Sequence, residues 1–371
     1  MDQDIISAFD ATRDLSTKGF RSACYAPYTS LYFHTSGEVR VCCHNWSNPV
    51  GNVATQSLDE IWSSAALEVV RSAVGRYDFS EGCQFCEWQM RSRQFLHLPS
   101  TKWDKYAVSS PTPDWPQVME FSISNQCNLE CVMCDGSLSS AIRQRREKLP
   151  PLPRCYSDKF FGELRSYLPH LREAKFLGGE PFLQSECYRI WEMLIEDKIK
   201  LPVSITTNGT VYNSRVEKVM DSLPVGIVIS MDGLTRETYE DIRVNADYDK
   251  VMANVLRFRA YATRTKGRFG LTYCLMRRNW QEFADFCAFC EQLECVLWVN
   301  IVRRPAPLSL YTLDTQELRG IVDAMEKQGQ SLVSAMGRNY AVWQNEILRL
   351  RKRCLGVVPP NLTTIQKAAA Q

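Results

Sequence analysis

Between residues 118 and 302, short apolar runs alternate with longer amphipathic ones, and this alternation constrains the fold more than any other feature of the chain. The runs 118–124 (VMEFSIS), 174–177, 202–206, 225–230, 270–276 and 296–302 have the length and β-branched content of strands. Apolar residues recur at helical spacing over 157–168, 185–198, 248–264 and 280–293. Strand–helix alternation predicts a parallel sheet covered by helices and wound by right-handed crossovers. A complete eight-unit barrel needs about 250 residues. The expected fold is therefore α/β, a partial (β/α)6 TIM-like barrel over 118–305.

The flanks read differently. Within 1–97, SLYFHTSGEVRVCC (30–43) reads as a hairpin turning near Ser36-Gly37. A helix is expected over 57–74, opened by Ser57 and Glu60 as a capping box. Its apolar stripe would be Leu58, Ile61, Trp62, Ala65, Val69 and Ala73. Cys83 and Cys86 follow in a short loop, which makes 1–97 a small α+β cysteine-rich domain. Residues 98–117, with four prolines, read as a linker. Residues 306–371 read as a helical extension that closes the barrel's open side or forms a partner face, with a frayed end at TTIQKAAAQ.

The chain has 371 residues and balances 44 Lys+Arg against 42 Asp+Glu. A net charge of +2 argues against a general polyanion binder and hence against a nucleic-acid partner. Residues 1–15 have no basic segment followed by a long apolar run, and no 18-residue apolar stretch occurs. The expectation is a cytoplasmic protein without a membrane partner. A cytosol keeps thiols reduced, so fifteen cysteines point to metal or redox chemistry rather than a disulfide framework. Cys287 and Cys290 sit at core spacing on a helix, and packing is the default for them and for Cys155, Cys187, Cys274 and Cys295. Two groups remain: Cys127, Cys131 and Cys134 in a C-x3-C-x2-C run, and Cys24, Cys42, Cys43, Cys83 and Cys86 in the N-terminal region.

The unusual residues fall at strand ends. The cysteine triplet follows the first strand, Gly178-Gly179-Glu180-Pro181 the second, Thr207-Asn208-Gly209 the third and Ser230-Met231-Asp232-Gly233 the fourth. In parallel βα folds those ends share one rim, which carries the active site. Three thiolates hold three corners of a 4Fe-4S cluster and leave one iron open, as a catalytic zinc keeps an open position; a cluster used only for electron transfer takes four. A zinc site would need remote ligands, yet the four histidines, at 34, 44, 97 and 170, lie far from the triplet in sequence.

Cys127/Cys131/Cys134, GGEP at 178–181, TTNG at 206–209 and SMDGLTRETYEDIR at 230–243 together resemble the radical S-adenosylmethionine (radical SAM) superfamily. The resemblance implies that these three cysteines ligate a 4Fe-4S cluster whose open iron takes S-adenosylmethionine. It places Gly178, Gly179 and Glu180 at the methionine amino group, Asn208, Ser230 and Asp232 at the ribose, and Arg243 at the methionine carboxylate. Met133 replaces the commoner aromatic residue before the third cysteine. Residues 20–95 similarly resemble SPASM/twitch auxiliary-cluster domains, through Cys24, Gly37, Cys42, GNV (51–53), LDEIW (58–62) and Cys83/Cys86. That resemblance implies a second 4Fe-4S cluster on Cys24, Cys42, Cys83 and Cys86, with Cys43 in reserve. Such domains usually follow the barrel; here the domain precedes it.

The implied activity is reductive cleavage of S-adenosylmethionine to a 5′-deoxyadenosyl radical that abstracts hydrogen from a peptide or small natural product, with the auxiliary cluster as electron relay. A flavodoxin- or ferredoxin-type donor would supply electrons. Two rivals remain: a non-enzymatic zinc protein contacting nucleic acid through Arg349, Arg351, Lys352 and Arg353, and an iron–sulfur electron carrier. The basic loop 137–154 is either a solvated surface or a contact for an anionic substrate. No acid or base for the substrate is identified; Tyr273, Cys274 and Asn300 lie on late strands where such groups point inward or outward.

Overall fold

The computed structural model describes residues 1–15, 19–95, 98–302 and 304–356; the tail expected to fray lies outside them. Nine strands form one sheet: β1 (Ser30–Phe33), β2 (Glu38–Arg40), β3 (Gly51–Asn52), β4 (Val118–Phe121), β5 (Glu173–Phe176), β6 (Val203–Thr207), β7 (Val225–Ser230), β8 (Phe269–Leu275) and β9 (Val296–Ile301). Their order is β3-β2-β1-β4-β5-β6-β7-β8-β9, an open run with two edges. Strands β4 to β9 pair in parallel, each with the next. Helices Asp158–Tyr167, Ser185–Glu196, Ser214–Ser222, Tyr248–Thr265 and Phe283–Gln292 cross between them. The fold is the expected α/β partial barrel.

The N-terminal hairpin extends this barrel. Strand β1 pairs in parallel with β4, setting Tyr32 against Glu120 and Phe33 against Phe121. Side chains alternate between the sheet's faces. Phe33, Phe121 and Phe176 stack in series at 5.4 and 5.1 Å and meet Trp191 and Phe160 of the covering helices. Each buried ring contributes about 1.5–3 kcal/mol. Their strand neighbours Tyr32, Glu120 and Lys175 therefore face the barrel interior, level with Ser204 through the strand register.

Two expectations need correction. The segment read as a linker folds over Pro99–Tyr106 into a 3-10 helix, with Trp103, Asp104 and Tyr106 buried. Its aromatic residues outweigh the prolines, which cluster after it. The helix expected over 57–74 breaks at Ser63-Ser64 into Leu58–Trp62, with its capping box on Ser57 and Glu60, and Ala65–Gly75, capped by Ser64. The restart shifts the phase, so Val69 is exposed and Leu67, Val70 and Val74 enter the core. The C-terminal helices Thr315–Met336 and Tyr340–Cys354 pack on Phe283–Gln292. The last turn reaches the N-terminal region, where Lys352 Nζ donates to the Ser92 carbonyl at 2.9 Å.

Candidate functional site

The rim site is built on the loop that leaves β4. Ser140 Oγ accepts from Cys127 N and bonds the Cys127 carbonyl, each at 3.1 Å. Ser139 Oγ donates to Leu129 O at 2.7 Å, and Asn125 Nδ2 to Gly136 O at 2.9 Å. Across the rim, Glu130 N and Val132 N donate to the carbonyls of Val244 and Ile242. The three cysteines are thus held from both sides. Their thiols raise one another: Cys127 is pushed up to about 11 by burial and Cys131, and Cys134 to about 12 by burial, Cys131, Asp135 and Cys127. Three thiols that resist ionisation alone become ligands when a cationic centre takes their charge.

The glycines of the second loop sit where no other residue fits. Gly178 and Gly179 have φ of +75° and +54°. A Cβ on Gly178 would lie 1.9 Å from Ser122 Oγ, and one on Gly179 2.7 Å from the Gln126 carbonyl. Glu180 is fully buried, and its carboxylate accepts from Thr207 Oγ1 at 2.7 Å, Asn208 N at 2.6 Å and Phe182 N at 3.1 Å. Both of its oxygens are committed to the protein. Glu180 thus braces the TTNG turn, with Oε1 taking two donors and Oε2 one. Burial raises it to about 7 against those three donors.

Asn208 Nδ2 reaches Asn128 Oδ1 at 3.0 Å and Cys127 Sγ at 3.8 Å, so the third strand's loop touches the cluster loop directly. Asp232 and Arg243 form a buried ion pair at 2.7 Å, and Asp232 Oδ1 also accepts from Cys274 N at 2.6 Å. Asp232 is thus turned to Arg243 and the β8 backbone rather than outward. Arg243 Nη1 lies 3.7 Å from Cys131 Sγ, and its Nε is buried without a partner. Burial works against the guanidinium charge, but Asp232 and Cys131 hold it firmly. Ser230 ends β7 on the inner face, half-buried. Met133 packs against the apolar cluster of Ile242, Met276, Val302 and Leu308.

A second cysteine site lies in the N-terminal region. Cys24, Cys42, Cys83 and Cys86 line one small cavity with Ala26, Pro27, Val41, His44, Asn45, Phe79, Phe85, Pro99, Ser100 and Trp103. Burial lifts Cys24 and Cys83 to about 12, and Cys42 and Cys86 rise as well; Cys86 feels all three of the others. Cys43 is absent from this wall. Its Sγ accepts from Lys102 Nζ at 3.7 Å instead. Among the described residues no three His, Cys, Asp or Glu side chains converge as on a single metal ion. In a cubane cluster each cysteine binds its own iron, so the thiolates stand apart. The three rim thiols and the glycine cradle fit a cluster with an open iron, and the four-thiol cavity fits a fully ligated one.

The sites use partners the sequence reading passed over, notably Asn128, Ser139 and Ser140. Two more carried a signal: Glu120 and Lys175 are charged residues inside strand runs, at facing register. The basic segments are spoken for. Arg145 pairs with Glu130 at 3.2 Å and Arg146 donates to its carbonyl, bracing the cysteine loop. Arg349 pairs with Glu346, Arg351 with Asp323 and Glu326, and Arg353 donates to Tyr311 and Leu313 carbonyls. The C-terminal basic stretch is spent on internal contacts, which removes the feature that favoured a nucleic-acid reading. Tyr273 turns to the helix layer, where its hydroxyl donates to Asn279 O, whereas Asn300 Nδ2 donates to Thr272 Oγ1 on the inner face. No described helix is long and apolar enough to cross a membrane.

Two family models match the chain. Residues 121–290 match the model of the Radical SAM superfamily. Residues 24–87 match the SPASM model, an iron-sulfur cluster-binding domain. A probable GTP 3′,8-cyclase of Methanocaldococcus jannaschii is 26% identical over 184 residues, 49% of this chain and 57% of that protein. A GTP 3′,8-cyclase of Synechocystis sp. is 24% identical over 189 residues, 50% of this chain and 54% of that one. The chain thus spans about half the length of the curated relatives it matches. Among solved structures, native anSMEcpe with bound AdoMet aligns with a TM-score of 0.43 at 15% identity, covering 59% of this chain and 62% of that one. Streptococcus suis SuiB bound to its precursor peptide SuiA aligns with a TM-score of 0.43 at 13% identity, covering 72% of this chain and 60% of that one.

Proposed function

We propose that this chain, a SPASM domain joined to a radical SAM domain, is an enzyme that reductively cleaves S-adenosylmethionine and uses the resulting radical to oxidise a small molecule or a peptide. When bound, the rim cluster supplies the electron that splits the sulfonium into methionine and a 5′-deoxyadenosyl radical, and the protein contributes binding, orientation and water exclusion. The observation that carries the reading is the convergence of Cys127, Cys131 and Cys134 with Gly179, Asn208 and Arg243 from three other loops.

Each residue then has a task. The three cysteines hold the cluster. Gly178 and Gly179 let backbone approach the methionine end of the cofactor closely. Glu180 holds Asn208 in place at Cys127, where its side chain would contact the cofactor. Arg243, fixed by Asp232, donates toward the Cys131 sulfur and keeps Nε for a cofactor carboxylate. Met133 and its apolar neighbours offer a dry wall for adenine. Ser230 faces the ribose. In the N-terminal cavity, Cys24, Cys42, Cys83 and Cys86 would hold a fully ligated cluster that accepts the electron left on the substrate after hydrogen abstraction. A flavodoxin- or ferredoxin-type protein would provide the first electron.

The test is anaerobic reconstitution. About eight irons per chain are expected for two clusters, with 5′-deoxyadenosine formed on addition of dithionite and S-adenosylmethionine. Zinc in place of iron, with no 5′-deoxyadenosine, would overturn the reading.

A further inference from the structure

The inner face of the sheet carries a row of charge beside the second cysteine site. One register row runs Arg40, Tyr32, Glu120, Lys175 across β2, β1, β4 and β5. Glu120 is 3% exposed. Its Oε1 takes Lys175 Nζ at 3.3 Å and Lys102 Nζ at 4.0 Å, while its Oε2 is buried with no partner. Burial pushes this carboxyl up, but the two lysines overcome it and hold it below its ordinary value. Arg40 is also buried, at 7% exposure; Nη2 pairs with Glu38 and the guanidinium lies 4.7 Å from the Trp46 ring, while Nε and Nη1 have no hydrogen-bond partner among the described residues. Lys102 ties the row to the second cysteine site, with its Nζ 3.7 Å from Cys43 Sγ. Tyr32 senses Cys43, Glu120 and Arg40 together, so the groups share one neighbourhood.

The fold does not need this arrangement. Replacing buried ion pairs by apolar residues is often neutral or stabilising, whereas unpartnered buried polar atoms are costly. Three cations, Arg40, Lys102 and Lys175, face two carboxylates, Glu38 and Glu120, leaving one positive charge in excess. The unpartnered atoms are of two kinds: N–H donors on Arg40 and an acceptor on Glu120.

We propose that Arg40, Lys102 and Lys175, with Glu120 beside them, form the substrate-anchoring site of the barrel, and that they bind the oxyanion of a small substrate, a carboxylate or phosphate carrying an adjacent hydroxyl or amine. The oxyanion takes the Arg40 and lysine donors, where a guanidinium fork suits it best. The neighbouring hydroxyl or amine donates to Glu120 Oε2. This places the substrate on the inner wall between the rim and the four-cysteine cavity. The assignment deepens the proposed function and rests on it for the word substrate.

Two probes test it by equilibrium titration of the reconstituted holoenzyme: tripolyphosphate followed by phosphorus NMR line width, and glutarate followed by calorimetry. One of the two is expected to saturate a single site, and which one identifies the oxyanion. Lys175→Gln should weaken that probe about tenfold. Glu120→Gln should tighten it several-fold, because the repelling carboxylate is gone, an opposite sign that damage to the fold would not produce. Arg268→Gln, in the basic cleft at the opposite end of the strands, should change nothing. Binding that is absent for both probes, unmoved by Lys175→Gln, or lost in Arg268→Gln overturns the site. Iron content and 5′-deoxyadenosine are scored separately: cluster loading and cofactor cleavage without probe binding sink the anion site alone, and probe binding without cleavage sinks the radical reading alone.

Discussion

The two cysteine sites solve different problems with the same side chain. The rim triplet is wired by polar contacts from three other loops: Asn208 at Cys127, Arg243 at Cys131, and Glu180 N on the carbonyl of Gln126. The N-terminal quartet sits in a mostly apolar wall of Ala26, Pro27, Val41, Phe79, Phe85 and Trp103, with His44, Asn45 and Ser100 as its polar members among the described residues, and Asn45 Nδ2 reaches Cys83 Sγ at 3.6 Å. A site with polar groups left over can receive another ligand. A site closed by apolar packing can only hold its own. On the proposed function, the rim site does the chemistry and the quartet stores the electron.

The largest expected effect breaks one side of this comparison outright. Cys127→Ala or Cys131→Ala should abolish 5′-deoxyadenosine formation and remove about half of the iron. Chromatographic product analysis with iron quantitation checks it. Retained cleavage in both variants would mean that the triplet is not the reactive site.

Next comes the quartet. Cys83→Ser and Cys86→Ser should each remove iron from the second site, while the rim cluster's electron paramagnetic resonance spectrum still shifts on adding S-adenosylmethionine. Cys43→Ala should leave iron content unchanged, because its thiol faces Lys102 and not the cavity. Iron lost in Cys43→Ala but retained in Cys42→Ala would reverse the ligand assignment.

Much of this comparison was legible in the chain. All six barrel strands appear within a few residues of their expected positions, because short apolar runs between amphipathic helices have few other uses. Cys24, Cys42, Cys83 and Cys86, read together from the sequence, line one cavity. What was hidden is pairwise and distant. Nothing in SLYF announces that β1 joins β4 in parallel, because strand pairing is decided by both partners. Asp232 and Arg243 each read as cofactor contacts, but burying both charges requires that they meet. The committed carboxylate of Glu180 was invisible for the same reason: two of its three donors, Thr207 and Asn208, lie on a loop 27 and 28 residues away. The proline count of 98–117 misled because Trp103 and Tyr106 bury enough surface to order the segment.

A smaller effect sharpens the rim's need for close backbone approach. Gly178→Ala adds a Cβ that lies 1.9 Å from Ser122 Oγ, at a φ of +75°. S-adenosylmethionine affinity should fall about tenfold, a backbone penalty of order 1–2 kcal/mol. Adding Ser122→Gly removes the clash but not the dihedral cost, so recovery should be partial. Full recovery would place the whole effect in the clash.

The last effect concerns pH and the buried rim carboxylate Glu180. Glu180 titrates at about 7 in the folded chain, against an ordinary value of 4.5. Folded protein therefore holds this proton more tightly than unfolded protein does. The stability it contributes is fully present below about pH 4.5 and is lost as pH rises through 7, a change of about 3 kcal/mol. Denaturant unfolding of the metal-free chain, compared between wild type and Glu180→Gln from pH 5 to 8, isolates this group from all others. Glu180→Gln should be less stable at the acid end, since its amide meets the N–H donors of Asn208 and Phe182. The gap between the two proteins should then narrow as pH rises. A gap that widened instead would show that Thr207, Asn208 and Phe182 stabilise the carboxylate more than burial opposes it, making Glu180 a fixed negative charge at the rim rather than a neutral brace.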